Sequence, residues 1–395
     1  MKKETKEKLQ NVLEKAVAVQ EVAGGNLLVL KDGQEVCYVE AGMADKEEGK
    51  PITRDSIYRL YSMSKPITAT AVMKLVEGGL LDLAEAVATF FPSFRNQMVE
   101  KDGVLVESVR EVTIQDLLHM TGGLVYGGRG GLTGEYMDRL FEQMDQRLLG
   151  ETPMSTAEFG DLLGKAPLAF QPGESWRYGT SADMLGAVVE AVSGKTFGEY
   201  LEENIFKPLE MVDTGFYVPE EKKPHLFTAY EADDNGCLIP YRGNHLGIIN
   251  SMDRKPAFES GGAGLVSTAD DYARFARMLM NGGQLDGVRI LNPGTIKFMT
   301  SGALNEVQEQ ALADYFPNLC GYSYSCLMRV MRVMRVPGRA RMFGSSGEYG
   351  WDGWLGCHFL NDPASGYTLI FMMQKKDAGT TPLARKLRNV VMSGG

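Results

Sequence analysis

SMSKPITATAVMKLVEGG, residues 62–79, is the stretch from which the rest of the chain is read. Its apolar residues recur at spacings of three and four, Pro66 falls in the first turn, and Gly78-Gly79 mark the end, so the pattern predicts a helix with Ser62 at its N-terminus. Positions three apart share one helix face, which brings the Lys65 amine within reach of the Ser62 hydroxyl proton. The partial positive charge and free amide of a helix N-terminus would favour a developing oxyanion there. By itself S-x-x-K is a weak signal, with about one match expected by chance in a chain this rich in Ser and Lys. A solvated serine beside a surface lysine is the plain alternative. Ser64 is offset from Lys65 by one position, points away from it, and is read as structural.

Working outward toward the N-terminus, Asn26 to Leu30 and Val36 to Val39 are short β-prone runs around Lys31-Asp32-Gly33-Gln34, whose Asp-Gly suits a tight hairpin turn. They follow MKKETKEKLQNVLEKAVAVQ, residues 1–20, an amphipathic helix by its spacing of charged and apolar residues. In the other direction, Leu81 to Lys207 is rich in helical segments, among them Val112 to His119, Thr156 to Gly164 and Ala182 to Ser193. Near the end, Gly353 to Leu360 and Tyr367 to Gln374 are β-like runs about an Asn-Asp-Pro-Ala-Ser-Gly loop, and Pro382 to Val391 is an amphipathic helix. CLMRVMRVMRV, Cys326 to Val336, reads as a strand with a mixed face. The expected fold is α+β. Strands from both ends form one antiparallel sheet flanked by the N- and C-terminal helices (residues 1–80 and 208–395), and residues 81–207 form a mainly helical domain.

The chain has 395 residues, 44% apolar and 23% charged, with a net charge of -10, a composition that belongs to globular proteins rather than disordered ones. That balance supplies no basic patch for nucleic acid or anionic lipid. No window has the apolar length of a membrane span, and the first helix lacks the apolar core of a signal peptide. A cytoplasmic protein acting on a small molecule, with no nucleic-acid or membrane partner, is expected. Cys37, Cys237, Cys320, Cys326 and Cys357 are scattered without C-x-x-C spacing, which suggests reduced, buried thiols. His119, His225, His245 and His358 lack metal-ligand spacing, so neither a metal nor a cofactor is called for.

Two further stretches give the S-x-x-K its context. Trp-Arg-Tyr-Gly-Thr-Ser-Ala-Asp-Met-Leu-Gly, Trp176 to Gly186, follows Gln171-Pro172-Gly173, opens a helix and offers Tyr178. Gly-Glu-Tyr-Gly-Trp-Asp-Gly-Trp-Leu-Gly, Gly347 to Gly356, leads into a β-like run whose glycines would let a strand edge approach bound substrate. In this order the three stretches resemble the serine β-lactamase and DD-peptidase superfamily, whose motifs are SxxK, YxN and KTG. Within it the chain looks like the family VIII carboxylesterases, which have class C β-lactamase architecture. ADKEEGKPITRDSIYRLYSMSK, LLHMTGGL, PLEMVDTGF and GGAGLVSTADDYARF also look like family blocks, so the likeness covers most of the chain.

The resemblance implies that Ser62 attacks the carbonyl and that Lys65 and Tyr178 form its proton relay, with either as the base. It also implies that the backbone N–H groups of Ser62 and Trp354 bind the oxyanion. Thr180 stands where β-lactamases have asparagine, and Trp351-Asp352-Gly353 stands in place of KTG. The lysine of KTG would attract a substrate carboxylate, whereas Trp351 is neutral and an Asp352 facing the pocket would repel an anion, so neutral esters are the expected substrates. Tyr126, Trp351, Asp352 and Gly353 are the candidate substrate-binding residues. His119 is read as a helix-end histidine satisfied by backbone, since no G-x-S-x-G elbow exists to partner it. Asp183 is read as a brace for the helix after Tyr178. The expected activity is hydrolysis of short- to medium-chain esters through an acyl-enzyme. The alternatives are a β-lactamase or DD-peptidase, an acyltransferase, or a binding protein that has lost turnover.

Overall fold

Leu27 and Val29 point to one side of the first strand and Leu28 and Leu30 to the other, and all four are buried, so this strand must be covered on both faces. The structure, a computed structural model, describes residues 1–128, 130–332 and 343–394. It places that strand inside an eight-stranded antiparallel sheet. The strands are β1 (Gly24–Lys31), β2 (Gln34–Asp45), β3 (Lys50–Pro51), β4 (Tyr322–Ser325), β5 (Met328–Met331), β6 (Tyr349–Asp352), β7 (His358–Asp362) and β8 (Tyr367–Met373), in the spatial order β4-β5-β6-β7-β8-β1-β2-β3. β1 pairs with β8 from Gly25↔Met373 to Lys31↔Tyr367, which joins the two ends of the chain in the middle of the sheet. The β1–β2 turn is tight because Asp32 and Gly33 both take positive φ, 51° and 77°, as a two-residue hairpin of this hand requires.

On one face, Leu27, Val29, Leu369 and Phe371 pack under helices α1 (Lys3–Ala18) and α8 (Pro382–Ser393) through Leu9, Leu13, Leu383, Leu387 and Val391. On the other, Leu28, Leu30, Phe359 and Ile370 meet α2 (Lys65–Glu77) and α7 (Ala269–Met280). Residues 81–207 carry α3 (Ile114–His119), α4 (Gly131–Arg147), α5 (Thr156–Gly164) and α6 (Ser181–Ser193), and their apolar residues continue the same core. Thr113 caps α3 in a capping box with Asp116, so the helix expected from Val112 starts two residues later. The β-hairpin Met98–Lys101 with Val104–Glu107 was not expected in this helical stretch.

Three sequence expectations are corrected. Gly353 to Leu360 is not a continuous strand: Gly353 N–H donates to the Cys357 carbonyl at 2.7 Å and Gly356 takes φ 92°, closing a turn between β6 and β7. Cys326 and Leu327 take φ 43° and 60° and form the turn of the β4–β5 hairpin, so among the described residues of the run the strand is Met328–Met331; 333–336 lies outside the described residues. Cys37, Cys326 and Cys357 are buried, but Cys237 is exposed in a hairpin turn and Cys320 is half-buried.

Candidate active site

α2 is buried almost all round from Lys65 to Met73, and its position on the sheet brings the residues just before it to the end of β6. Ser62 does not sit in the α-helix itself. It lies in a 3-10 turn, Tyr61–Ser64, that leads into α2, with Tyr61 forced to φ 44°. In a 3-10 turn side chains three apart eclipse one another, so the tighter winding brings Ser62 and Lys65 together more directly than the expected α-helix would. The Lys65 amine is 3.1 Å from Ser62 Oγ. It also donates to the Gly262 carbonyl at 2.8 Å and to Tyr126 OH at 3.3 Å. Ser64 turns away, as expected, and accepts the Leu265 N–H at 3.1 Å.

Lys65 is fully buried and, among the described residues, no carboxylate touches it. Burial drives its pKa down to about 7, opposed by the more distant charges of Asp183 and Asp352, because a low-dielectric site disfavours the ammonium. Tyr178 presents its ring face to the amine, 4.7 Å from Nζ to the centroid. Its hydroxyl bonds to Ser62 and accepts the Trp351 indole N–H at 3.0 Å. Burial pushes the Tyr178 phenol well above its usual range, with Ser62 and Trp351 only easing the shift. Burial likewise raises Tyr126. Ser62 therefore stands between an amine poised to lose its proton near neutrality and a phenol that keeps its own.

Most of the expected site residues meet here, some of them in other roles. Trp351 holds Tyr178 rather than standing free in the pocket. Gly353 is buried where a Cβ would lie 2.2 Å from the Leu60 carbonyl, so its missing side chain lets the end of β6 close on the Ser62 turn. Asp352 faces away from Trp351 by strand alternation, toward His358 in the register and toward Arg329. Burial raises it, and Arg329 and Lys65 hold it back. Its charge reaches both Lys65 and Tyr178. The N–H groups of Ser62 and Trp354 find no acceptor among the described residues. The Trp354 indole is tied to Asp377 at 2.7 Å and stacked on His245 with centroids 4.1 Å apart. His119 is buried at the end of α3 with Nε2 unpartnered and its pKa lowered to about 4 by burial. It is thus a neutral imidazole and not one satisfied by backbone, as had been expected.

The sequence reading missed the Gly262 carbonyl and the way it is held. Asp183 accepts from Ser260 Oγ and from the Gly262 N–H at 2.9 Å, fixing the loop whose carbonyl binds Lys65. The brace runs from α6 to this loop, not along α6. The signal was the Gly261-Gly262 pair: a Cβ at Gly261 would lie 2.3 Å from the Ala182 carbonyl, and one at Gly262 would lie 2.8 Å from Asp183. Tyr315 and Phe316, whose rings lie 6.3 and 5.5 Å from that of Tyr178, were also missed, since nothing local marks them.

The β-lactamase family profile matches residues 9–391. Esterase EstB of Burkholderia gladioli is 30% identical over 400 residues, covering 97% of this chain and 94% of that one. Of solved structures, EstCE1, a hydrolase with promiscuous acyltransferase activity, superimposes with a TM-score of 0.82 at 24% identity over 98% of each chain. Simvastatin synthase (LovD) from Aspergillus terreus superimposes with a TM-score of 0.80 at 20% identity, covering 99% of this chain and 98% of that one. At such identities the two structures speak to the fold alone.

Proposed function

Because this chain belongs to the β-lactamase family and is a serine hydrolase of that superfamily, we propose that it is a carboxylesterase acting on short- to medium-chain esters, with Lys65 as the base that activates Ser62. One observation carries the reading: a buried amine 3.1 Å from Ser62 Oγ with, among the described residues, no carboxylate in contact. Neutral Lys65 takes the Ser62 proton as Oγ attacks the ester carbonyl, and the N–H groups of Ser62 and Trp354 receive the oxyanion. When the C–O bond to the alcohol breaks, the proton held on Lys65 passes to the departing alkoxide, with the Tyr178 hydroxyl beside Ser62 as the bridging donor. Water then repeats the sequence on the acyl-enzyme, giving its proton to Lys65 and releasing the carboxylic acid. Trp351 in place of the KTG lysine leaves the β6 wall without the cation that would draw a β-lactam carboxylate, which favours esters over penicillins.

Release of p-nitrophenol from p-nitrophenyl butyrate, compared between the wild type and Ser62→Ala, tests this. Activity is expected in the first and none above background in the second, and an active Ser62→Ala would sink the assignment. Nitrocefin is expected to turn over far more slowly than the ester. Since EstCE1 is a hydrolase with promiscuous acyltransferase activity, an added alcohol shows whether the acyl group here also passes to acceptors other than water.

A further inference from the structure

Arg177 immediately precedes Tyr178, and its side chain lines a cavity of about 340 Å3 that shares Tyr126, Tyr178 and Tyr315 with the site. Its backbone N–H is anchored to the Met120 carbonyl at 3.1 Å, while among the described residues no acceptor or ion pair engages its guanidinium. Two carboxylates, Glu100 and Asp102, line the same cavity, and neither contacts the guanidinium. Glu100 accepts the Thr133 N–H at 2.8 Å in the first turn of α4, and Asp102 is exposed in the turn of its hairpin. Arg177 is half-buried, and a guanidinium with its planar fork of donors unused is suited to a carboxylate, which it can grip through two parallel bonds.

We propose that Arg177 is a specificity residue that recognises a carboxylate on the alcohol half of the ester. This rests on the esterase reading above. Tyr178 is the group that bridges the proton to the leaving alkoxide, so the cavity it walls lies on the leaving-group side. The preference for a neutral substrate then applies at the β6 wall, beside Trp351, and an anion is admitted at Arg177. The chain's net charge of -10 works against any anionic substrate, so a preference for one requires a local cation.

The test compares 4-(butanoyloxy)benzoate with its methyl ester, in which the same carboxyl is capped and uncharged, and Arg177→Gln sets each against the same substrate in the wild type. The wild type is expected to show a kcat/KM about 10-fold higher for the carboxylate. Arg177→Gln is expected to reduce the ratio of the two values by about 10- to 100-fold, the range of a lost charge-assisted bond, and Arg177→Lys by less. Calorimetric binding of 4-(butanoyloxy)benzoate to Ser62→Ala, with and without Arg177→Gln, reads the same contact without turnover. A wild-type ratio at or below one, or an Arg177→Gln variant that lowers both substrates equally, overturns the proposal and leaves the esterase reading intact. If the wild type cleaves neither benzoate nor p-nitrophenyl butyrate, the esterase reading itself fails and takes the proposal with it.

Discussion

At the edge of the sheet Arg388 meets Glu348 at 2.5 Å and Tyr322 OH at 3.1 Å, and Tyr322 donates to the other Glu348 oxygen at 3.0 Å. In the site Lys65 is as deeply buried as Arg388, yet its partners are two hydroxyls and a carbonyl. The first cluster satisfies a cation with an anion and pins α8 to the end of the sheet. The second has no contacting anion among the described residues, so the distant charges of Asp183 and Asp352 only partly offset desolvation and the amine drops toward neutrality. Equal burial thus gives a paired cation in one place and an amine with a lowered pKa in the other, and a contacting carboxylate is what separates the two.

The largest effect expected is on the nucleophile. Ser62→Ala should lower kcat/KM for p-nitrophenyl butyrate by at least about 10^4-fold while thermal unfolding moves little, read by pairing the assay with a melting curve. Next, Lys65→Met and Arg388→Met set the two clusters against each other. The first should cost about 10^2- to 10^4-fold in rate with stability preserved, since a buried, unpaired amine is replaced by an apolar chain. The second strands Glu348 and should cost about 3–5 kcal/mol in denaturant unfolding, with the rate per folded molecule unchanged. A destabilised Lys65→Met beside an unperturbed Arg388→Met would break the contrast.

The two tyrosines sharpen it further. Tyr178→Phe removes the hydroxyl bonded to Ser62 and should slow turnover about 10^2-fold, whereas Tyr126→Phe removes only one acceptor from Lys65 and should cost less than about 10-fold. The smallest expected effect is a shift in pH dependence. kcat/KM should climb through a pKa near 7 as Lys65 loses its proton, falling about tenfold per unit on the acid side. Asp183 favours the charged amine, so Asp183→Asn should move that limb to lower pH, and a shift to higher pH would reverse the assigned sign.

The legible parts of the fold were those written in local patterns. The Asp32-Gly33 turn, the paired terminal strands, α5 at its observed bounds and the Ser62–Lys65 pair follow from spacing, turn chemistry and capping. What sequence could not yield depends on approach between distant segments. The Gly262 carbonyl reaches Lys65 because Asp183, in another element, holds its loop. Trp351 reads as a candidate pocket residue, and its indole bond to Tyr178 follows only once β6 is in place. Asp352 pairs with His358 of β7, a register that no local pattern gives. His119 differs for another reason: its position at a helix end suggested a backbone partner, but its ring is packed against Phe298, 6.4 Å between centroids, and buried without one.

The most direct measurement is the rate at which a fluorophosphonate labels the intact protein between pH 5 and 9, with the modified residue mapped by mass spectrometry. Modification at Ser62 that accelerates with an apparent pKa near 7, and that vanishes in Lys65→Met, is the predicted result. A rate flat across that range, or a label found on another residue, would contradict a serine activated by its buried lysine.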